Sequence, residues 1–94
     1  MSSDPAMTTS ETDRILREVL RDVLGLSPDR VVGFTQDTGL FGHLPELDSM
    51  AVAGLLTEIE DRLGIVIEDD EVDGEMLETY GALLGFVTAK LGDG

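Results

Sequence analysis

The sequence predicts an all-α fold, a four-helix bundle made of three main helices and one short third helix, with a long first loop. Three segments repeat apolar residues at the helical period and carry polar residues on the other side. Between the first two segments, glycines and prolines interrupt any period from residue 26 to residue 47. The 94 residues suit one domain, which we place at 10–92 after a disordered N-terminal lead over 1–9.

The first helix is expected to begin near Ser10 and to end before Gly25, a typical C-terminal stop. Glu11 and Asp13 fall in its first turn, where negative charge suits the helix dipole. Its apolar stripe consists of Ile15, Leu16, Val19, Leu20, Val23 and Leu24.

The long first loop carries enough apolar residues to pack onto a helical core, so we expect it to be ordered. These residues are Val31, Val32, Phe34, Leu40 and Phe41. A stretch of roughly 20 residues without a helical period is unusual in a compact domain, and such stretches are commonly functional.

The second helix is expected from about Ser49 to Leu63, with Asp48 as N-cap and Gly64 as stop. Its core face follows the spacing of an amphipathic helix and consists of Val52, Leu55, Leu56, Ile59 and Leu63. At about 100° per residue, Met50 falls on the opposite face and is therefore expected to be exposed.

The last third of the chain begins with an apolar link at 65–67, followed by five acidic residues between positions 68 and 73. The short third helix is expected over 74–78. Thr79 can cap the last helix, expected at 80–91. The core face of that helix consists of Tyr80, Leu83, Leu84, Val87 and Leu91.

The chain is strongly acidic, with a net charge of −14 from 20 acidic and 6 basic residues. This charge argues against nucleic-acid and anionic-membrane partners, and it favours proteins with basic patches. No apolar run approaches the roughly 20 residues of a membrane span. Since the N-terminal segment also lacks an apolar signal sequence, we expect a cytoplasmic location. We also expect the protein to be a monomer.

Two alternatives that involve metal binding or catalysis find little support. The acidic stretch 69–74 resembles the start of an EF-hand, but Tyr80 occupies the position where a bidentate glutamate is required, so no metal site is expected. A hydrolase built on Ser49 and His43 would need an orienting acid and an oxyanion hole, and no nucleophile elbow is visible. We therefore predict no catalytic residues.

The pair Asp48-Ser49 points most directly to a function. Both residues are common helix caps, so the pair alone is a weak signal. A tethering serine needs an exposed hydroxyl at a helix start, flexible surroundings and nearby acids for a basic modifying enzyme. A helix N-terminus also favours a phosphodiester through its dipole and free N–H groups. Ser49 meets each of these requirements.

From about Thr12 to Leu91 the chain resembles the acyl carrier proteins. The shared features are the first helix, Gly39-Leu40-Phe41, Asp48-Ser49-Met50, the acidic second helix and Leu77-Glu78-Thr79-Tyr80. The resemblance implies that Ser49, preceded by Asp48, carries a covalent 4′-phosphopantetheine arm derived from coenzyme A. The arm would hold an intermediate as a thioester, and the chain would be a carrier, not an enzyme.

Some positions depart from the family's usual pattern. Met50 replaces a leucine of similar size, and Glu46 stands where glycine is common. Gly54 and Thr57 replace a common acid and a common methionine. The sequence around Ser49 is closer to specialised, stand-alone carriers of accessory biosynthetic clusters.

The resemblance implies three kinds of partner: a phosphopantetheinyl transferase, an acyl- or aminoacyl-loading ligase, and downstream synthase or transferase enzymes with basic docking patches. We predict that these partners contact Met50, Glu60, Asp61 and Ile67. A candidate acyl pocket would be lined by Val52, Leu55, Ile59 and Leu84, if the core opens. The same four residues serve equally well as ordinary core.

One alternative function remains open from the sequence. An unmodified acidic helical adaptor could offer a groove to a basic partner helix. It would share the fold and the charge but would not need Ser49.

Overall fold

The computed structural model describes residues 9–93, and it contains four α-helices and no strand within that range. The helices are α1 (Thr9–Leu24), α2 (Pro28–Val32), α3 (Ser49–Leu63) and α4 (Tyr80–Asp93), and a 3₁₀ helix spans Asp69–Glu71. The predicted all-α four-helix fold is confirmed. The predicted disordered lead over 1–9 lies outside the described residues except for Thr9, the first residue of α1.

The core lies where α1 faces α3 and α4, and α1 makes its most extensive contact with α3. The three predicted apolar faces meet there. The fully buried members are Leu16, Val19, Leu20, Leu55, Ile59, Leu83 and Val87. Burial of each such side chain contributes about 1.5–3 kcal/mol relative to exposure, so these faces supply most of the driving force for folding.

The short α-helix lies in the first loop and not at 74–78, where the prediction of a third helix was wrong. Ser27 caps α2, because its Oγ accepts a hydrogen bond from the Arg30 N–H at 3.3 Å. Pro28 is the first residue of α2, a position that needs no N–H donor. These two residues favour a helix at this point of the loop.

The segment 74–78 forms consecutive turns. The Asp73 carboxylate accepts a hydrogen bond from the Met76 N–H at 2.9 Å. The same i to i+3 bond caps α2 and α3, but here the residue that follows the capping Asp73 is Gly74, a poor helix former. The turns nevertheless bury Met76 and Leu77 against the core.

The long first loop is ordered because its second half pairs with the segment that leads into α4. Four backbone hydrogen bonds of 2.8–3.0 Å make this pairing: Leu40 N–H to Glu78 O, Phe41 N–H to Leu77 O, Tyr80 N–H to Thr38 O and Gly81 N–H to Gln36 O. These bonds hold residues 36–41 against residues 77–81.

Three of the five predicted loop anchors, Val31, Phe34 and Leu40, are buried. The prediction was wrong for Val32 and Phe41, which are 76% and 39% exposed. Each follows a buried neighbour in the chain. Successive residues diverge by about 100° in a helix and alternate between faces in an extended segment, so the neighbour of a buried residue often points toward solvent, as Val32 and Phe41 do.

Arg17 links α1 to the first loop. Its guanidinium donates to Val31 O at 2.5 Å and to Phe34 O at 3.0 Å, and Nε lies 3.0 Å from an Asp13 carboxylate oxygen. The same guanidinium lies 4.8 Å from the centre of the Tyr80 ring. Arg17 therefore bridges the Val31 carbonyl in α2 and the Phe34 carbonyl just after it, which holds this part of the first loop against α1.

Within residues 9–93, none of the helices combines the length and the apolar character that crossing a membrane requires.

Candidate functional site

Ser49 is exposed and is the first residue of α3. Asp48 is the N-cap, with its Oδ1 accepting a hydrogen bond from the Ala51 N–H at 2.8 Å. This bond caps the N-terminus of α3 and so sets where the loop ends and the helix begins. Ser49 is therefore held at the helix start, with its side chain in solvent. The first turn of α3 contains no acidic residue. A phosphodiester at Ser49 would therefore meet the favourable end of the helix dipole, with the capping Asp48 as the one carboxylate beside it at the helix start.

Three surface depressions border Ser49. The first is formed by the loop residues 41–48. The second, of about 470 Å³, lies between α3 and the residues 67–72, and Val52 and Ile67 line it. The third, of about 300 Å³, is bounded by Phe41, Val52 and Leu77. An exposed serine hydroxyl with shallow grooves around it fits a flexible group attached through the serine oxygen.

The four residues of the candidate acyl pocket lie in different surroundings. Val52 lines two of the depressions beside Ser49. Leu84 lines a separate depression next to Gly81 and Gly85. Leu55 and Ile59 are fully buried in the core. A pocket made of all four would need the core to open, and it stays a prediction.

The residues predicted to contact partners divide into two pairs. Met50 is 86% exposed, as the helix phase predicted, and Asp61 is exposed as well. Glu60 and Ile67 are half-buried and bonded to each other, with Glu60 Oε2 2.7 Å from the Ile67 backbone nitrogen. Met50 and Asp61 are therefore free to meet a partner, whereas Glu60 also supports the fold.

Glu46, three residues before Ser49, forms an ion pair with Arg30 of α2 at 2.7 Å. The Arg30 guanidinium holds the pKa of the Glu46 carboxyl below its usual value. The pair links the end of the first loop to its beginning, across 16 positions of sequence. No local pattern indicates such a contact, so sequence reasoning missed Arg30.

A second ion pair, whose residues have no role assigned from the sequence, joins α3 to α1. Arg62 donates to Asp22 of α1 at 2.9 Å and to Glu58 of its own helix at 2.7 Å. The hydrogen bond from Arg62 is the main reason that the pKa of Asp22 lies below its usual value. Arg62 thus offsets part of the acidic charge of α3 and joins that helix to α1.

His43, considered above as a partner for Ser49, is an exposed loop residue whose ring lies against Gly39. In the part of the chain that the structure describes, no three histidine or carboxylate side chains are grouped closely enough to hold a metal ion.

Comparison with known proteins agrees with this geometry. The family model of the phosphopantetheine attachment site matches residues 14–87, a range that includes Ser49 and most of the bundle. A solution NMR structure of a holo acyl carrier protein from Nitrosomonas europaea is similar in fold and sequence. The TM-score is 0.79 and the identity 38%, over 87% of this chain and 98% of that chain.

Members of this family carry covalent 4′-phosphopantetheine and deliver bound groups to enzymes, including transferases and synthases, without being enzymes themselves. The chain belongs to the acyl carrier protein family.

Proposed function

We propose that Ser49 is the attachment residue and that the protein presents a thioester-linked intermediate to the enzymes of a biosynthetic pathway. The observation that carries this proposal is the exposed Ser49 hydroxyl at the start of α3, fixed there by the Asp48 cap. We expect the carrier to act as a cytoplasmic monomer.

The residues around Ser49 have simple tasks in this function. In the transferase reaction Ser49 Oγ would attack the pantetheine-side phosphorus of coenzyme A and give up its proton to the transferase. The pyrophosphate bond would break, and adenosine 3′,5′-bisphosphate would leave. The N-terminus of α3 stabilises the resulting negative charge. When attached, 4′-phosphopantetheine supplies a terminal thiol that forms the thioester. Phe41 and Val52 line grooves along which the arm can rest between enzymes.

Docking is proposed to use the outer face of α3. Met50 offers an exposed apolar side chain beside the attachment residue, and Asp61 adds negative charge on the same side of the helix. An apolar anchor with charged neighbours suits an enzyme groove that is apolar in its centre and basic at its rim. Glu60 contributes charge, but its carboxylate is also bonded to Ile67.

Intact-mass measurement tests the attachment residue directly. We expect the unmodified protein, incubated with a broad-specificity phosphopantetheinyl transferase and coenzyme A, to gain one phosphopantetheinyl group. Ser49→Ala should abolish the gain. Ser27→Ala is the matched control, because Ser27 is also an exposed serine at a helix start. This variant should gain the same mass as the natural protein.

The same measurement separates a carrier from an unmodified acidic adaptor. An adaptor would gain no mass with any of several transferases. A gain on the Ser49→Ala variant would place the arm on another residue and overturn the assignment of Ser49.

A further inference from the structure

We propose that Met50 is a site of reversible oxidation to methionine sulfoxide, and that its oxidation weakens recognition of the Ser49 region by partner enzymes. This inference rests on the proposed function, because it treats Met50 as part of the docking face. It adds a modification site and a chemical reactant, a peroxide.

Accessibility singles out Met50. It is 86% exposed, more than any other large apolar side chain that the structure describes, whereas Met76 is 7% exposed. Oxidation of methionine follows the exposure of its sulfur. The chain has no cysteine, so no thiol of the polypeptide competes for the oxidant.

Because of the position of Met50, its oxidation should affect binding of partner enzymes and not the stability of the fold. It is the second residue of α3, directly after Ser49, and the buried residues Leu55 and Ile59 define the opposite face of that helix. A polar group added to Met50 therefore projects into solvent and leaves the core packing as it is. An enzyme that covers the start of α3 would have to cover that group too.

The reaction is a two-electron oxygen transfer. The Met50 sulfur attacks one oxygen of hydrogen peroxide, the O–O bond breaks, and the other oxygen leaves as water after proton transfer. The flexible thioether becomes a polar, chiral sulfoxide. Burying that polar group in an apolar groove without a hydrogen-bond donor costs free energy. Methionine sulfoxide reductases reverse the step by transferring the oxygen to thiol reductants, which become a disulfide and water.

Peptide mapping tests the first part of the proposal. The unmodified protein is treated with hydrogen peroxide, and oxygen addition is followed at each methionine. We expect Met50 to be oxidised well before Met76. Oxidation of Met76 at the same rate as Met50 would overturn the proposal. This result does not depend on any carrier function.

Transfer kinetics test the second part. With a broad-specificity phosphopantetheinyl transferase and coenzyme A, the oxidised protein should have a kcat/KM about fivefold lower than the untreated protein. The change should come mainly from a higher KM, because an apolar residue that anchors the interface is lost. Treatment with methionine sulfoxide reductases should restore the rate, and the melting temperature should not change. Equal rates before and after oxidation would overturn the proposed switch.

Met50→Leu is the control that assigns the effect to one sulfur. Leucine has a similar size but cannot be oxidised, so peroxide treatment should leave the rate of this variant at its own untreated value. A treated Met50→Leu variant that slows as the natural protein does would refute the role of Met50. If the untreated natural protein gains no arm at all, the proposed function fails, and the recognition effect fails with it.

Discussion

The carboxylate of Glu60 accepts a hydrogen bond from the backbone N–H of Ile67, with Oε2 2.7 Å from that nitrogen. α3 ends at Leu63, and the φ of 68° at the next residue, Gly64, turns the chain back toward the helix. The turn brings Ile67 alongside a residue seven positions earlier. Glu60 therefore holds the link after α3 in place, in addition to any role in docking.

Substitution of Glu60 should destabilise the protein, whereas substitution of the adjacent Asp61 should not. Glu60→Ala leaves the partly buried Ile67 N–H without its charged acceptor, and we expect the free energy of unfolding to fall by about 1–3 kcal/mol. Asp61→Ala, at an exposed position, should change it by no more than about 0.5 kcal/mol. Urea denaturation measures both values. Equal effects of the two variants would contradict a structural role for Glu60.

Asp61 is the better residue with which to test electrostatic docking, because its substitution leaves the Glu60–Ile67 bond intact. Asp61→Lys should slow association with a phosphopantetheinyl transferase and flatten the salt dependence of that rate, since rim charges act mainly on the on-rate. Stopped-flow measurements over a range of ionic strength follow both quantities. An unchanged salt dependence would exclude Asp61 from the docking surface.

The core and the start of α3 at Asp48-Ser49 were predictable from the sequence because both depend on local patterns. The apolar residues of α1, α3 and α4 recur at the helical period, and Asp48 and Ser49 are adjacent to the first apolar turn of α3. The short helix was predicted in the wrong place. The Ser27-Pro28 pair, a cap followed by a favoured first residue, was the signal for α2 that was not used.

Other contacts could not have been predicted from one sequence. Arg17 reaches Val31 and Phe34, which lie 14 and 17 positions away. Such contacts depend on how the first loop folds over α1, and no hydrophobic period or sequence motif predicts that arrangement. The same holds for the ion pair between Arg30 and Glu46, which only the folded chain brings together.

Tyr80 should titrate well above an ordinary tyrosine. Its hydroxyl donates to the Asp13 carboxylate, and the residue as a whole is 1% exposed. Burial raises the pKa of Tyr80, and the hydrogen bond to Asp13 raises it further. Because Tyr80 is the single tyrosine of the chain and there is no tryptophan, near-ultraviolet absorbance of tyrosinate reports this residue alone. In urea the titration should return to the ordinary pKa of about 10.

The raised pKa of Tyr80 also sets how stability depends on pH. Above pH 10 or so, the unfolded chain releases the phenol proton while the folded protein keeps it, so the free energy of unfolding falls as pH rises. Below that pH the contribution of Tyr80 is fully present. Tyr80→Phe should remove this alkaline dependence and lower stability near neutral pH by about 1 kcal/mol through the lost hydrogen bond. An unchanged alkaline slope would show that other groups cause it.

Gly81 and Gly85 lie one helical turn apart in α4, yet only Gly81 is in close contact with the first loop. The Gly81 N–H donates to Gln36 O at 3.0 Å. A Cβ at position 81 would lie 2.8 Å from that oxygen and 2.9 Å from the Gln36 Cβ, whereas a Cβ at position 85 meets no atom within 4 Å. Part of the Gln36 contact is backbone, which cannot rotate away as a flexible side chain would.

Alanine at these two positions should therefore have opposite effects on stability. Gly81→Ala forces residues 36–41 away from α4, and we expect the resulting strain to cost about 1–3 kcal/mol, less the gain in helix propensity. Gly85→Ala gains helix propensity at an exposed position and should stabilise by up to about 1 kcal/mol. Urea midpoints, compared at equal slope, measure the difference. Stabilisation by both variants would show that the first loop yields to the added methyl group, and the pairing between 36–41 and 77–81 would then be looser than its hydrogen bonds indicate.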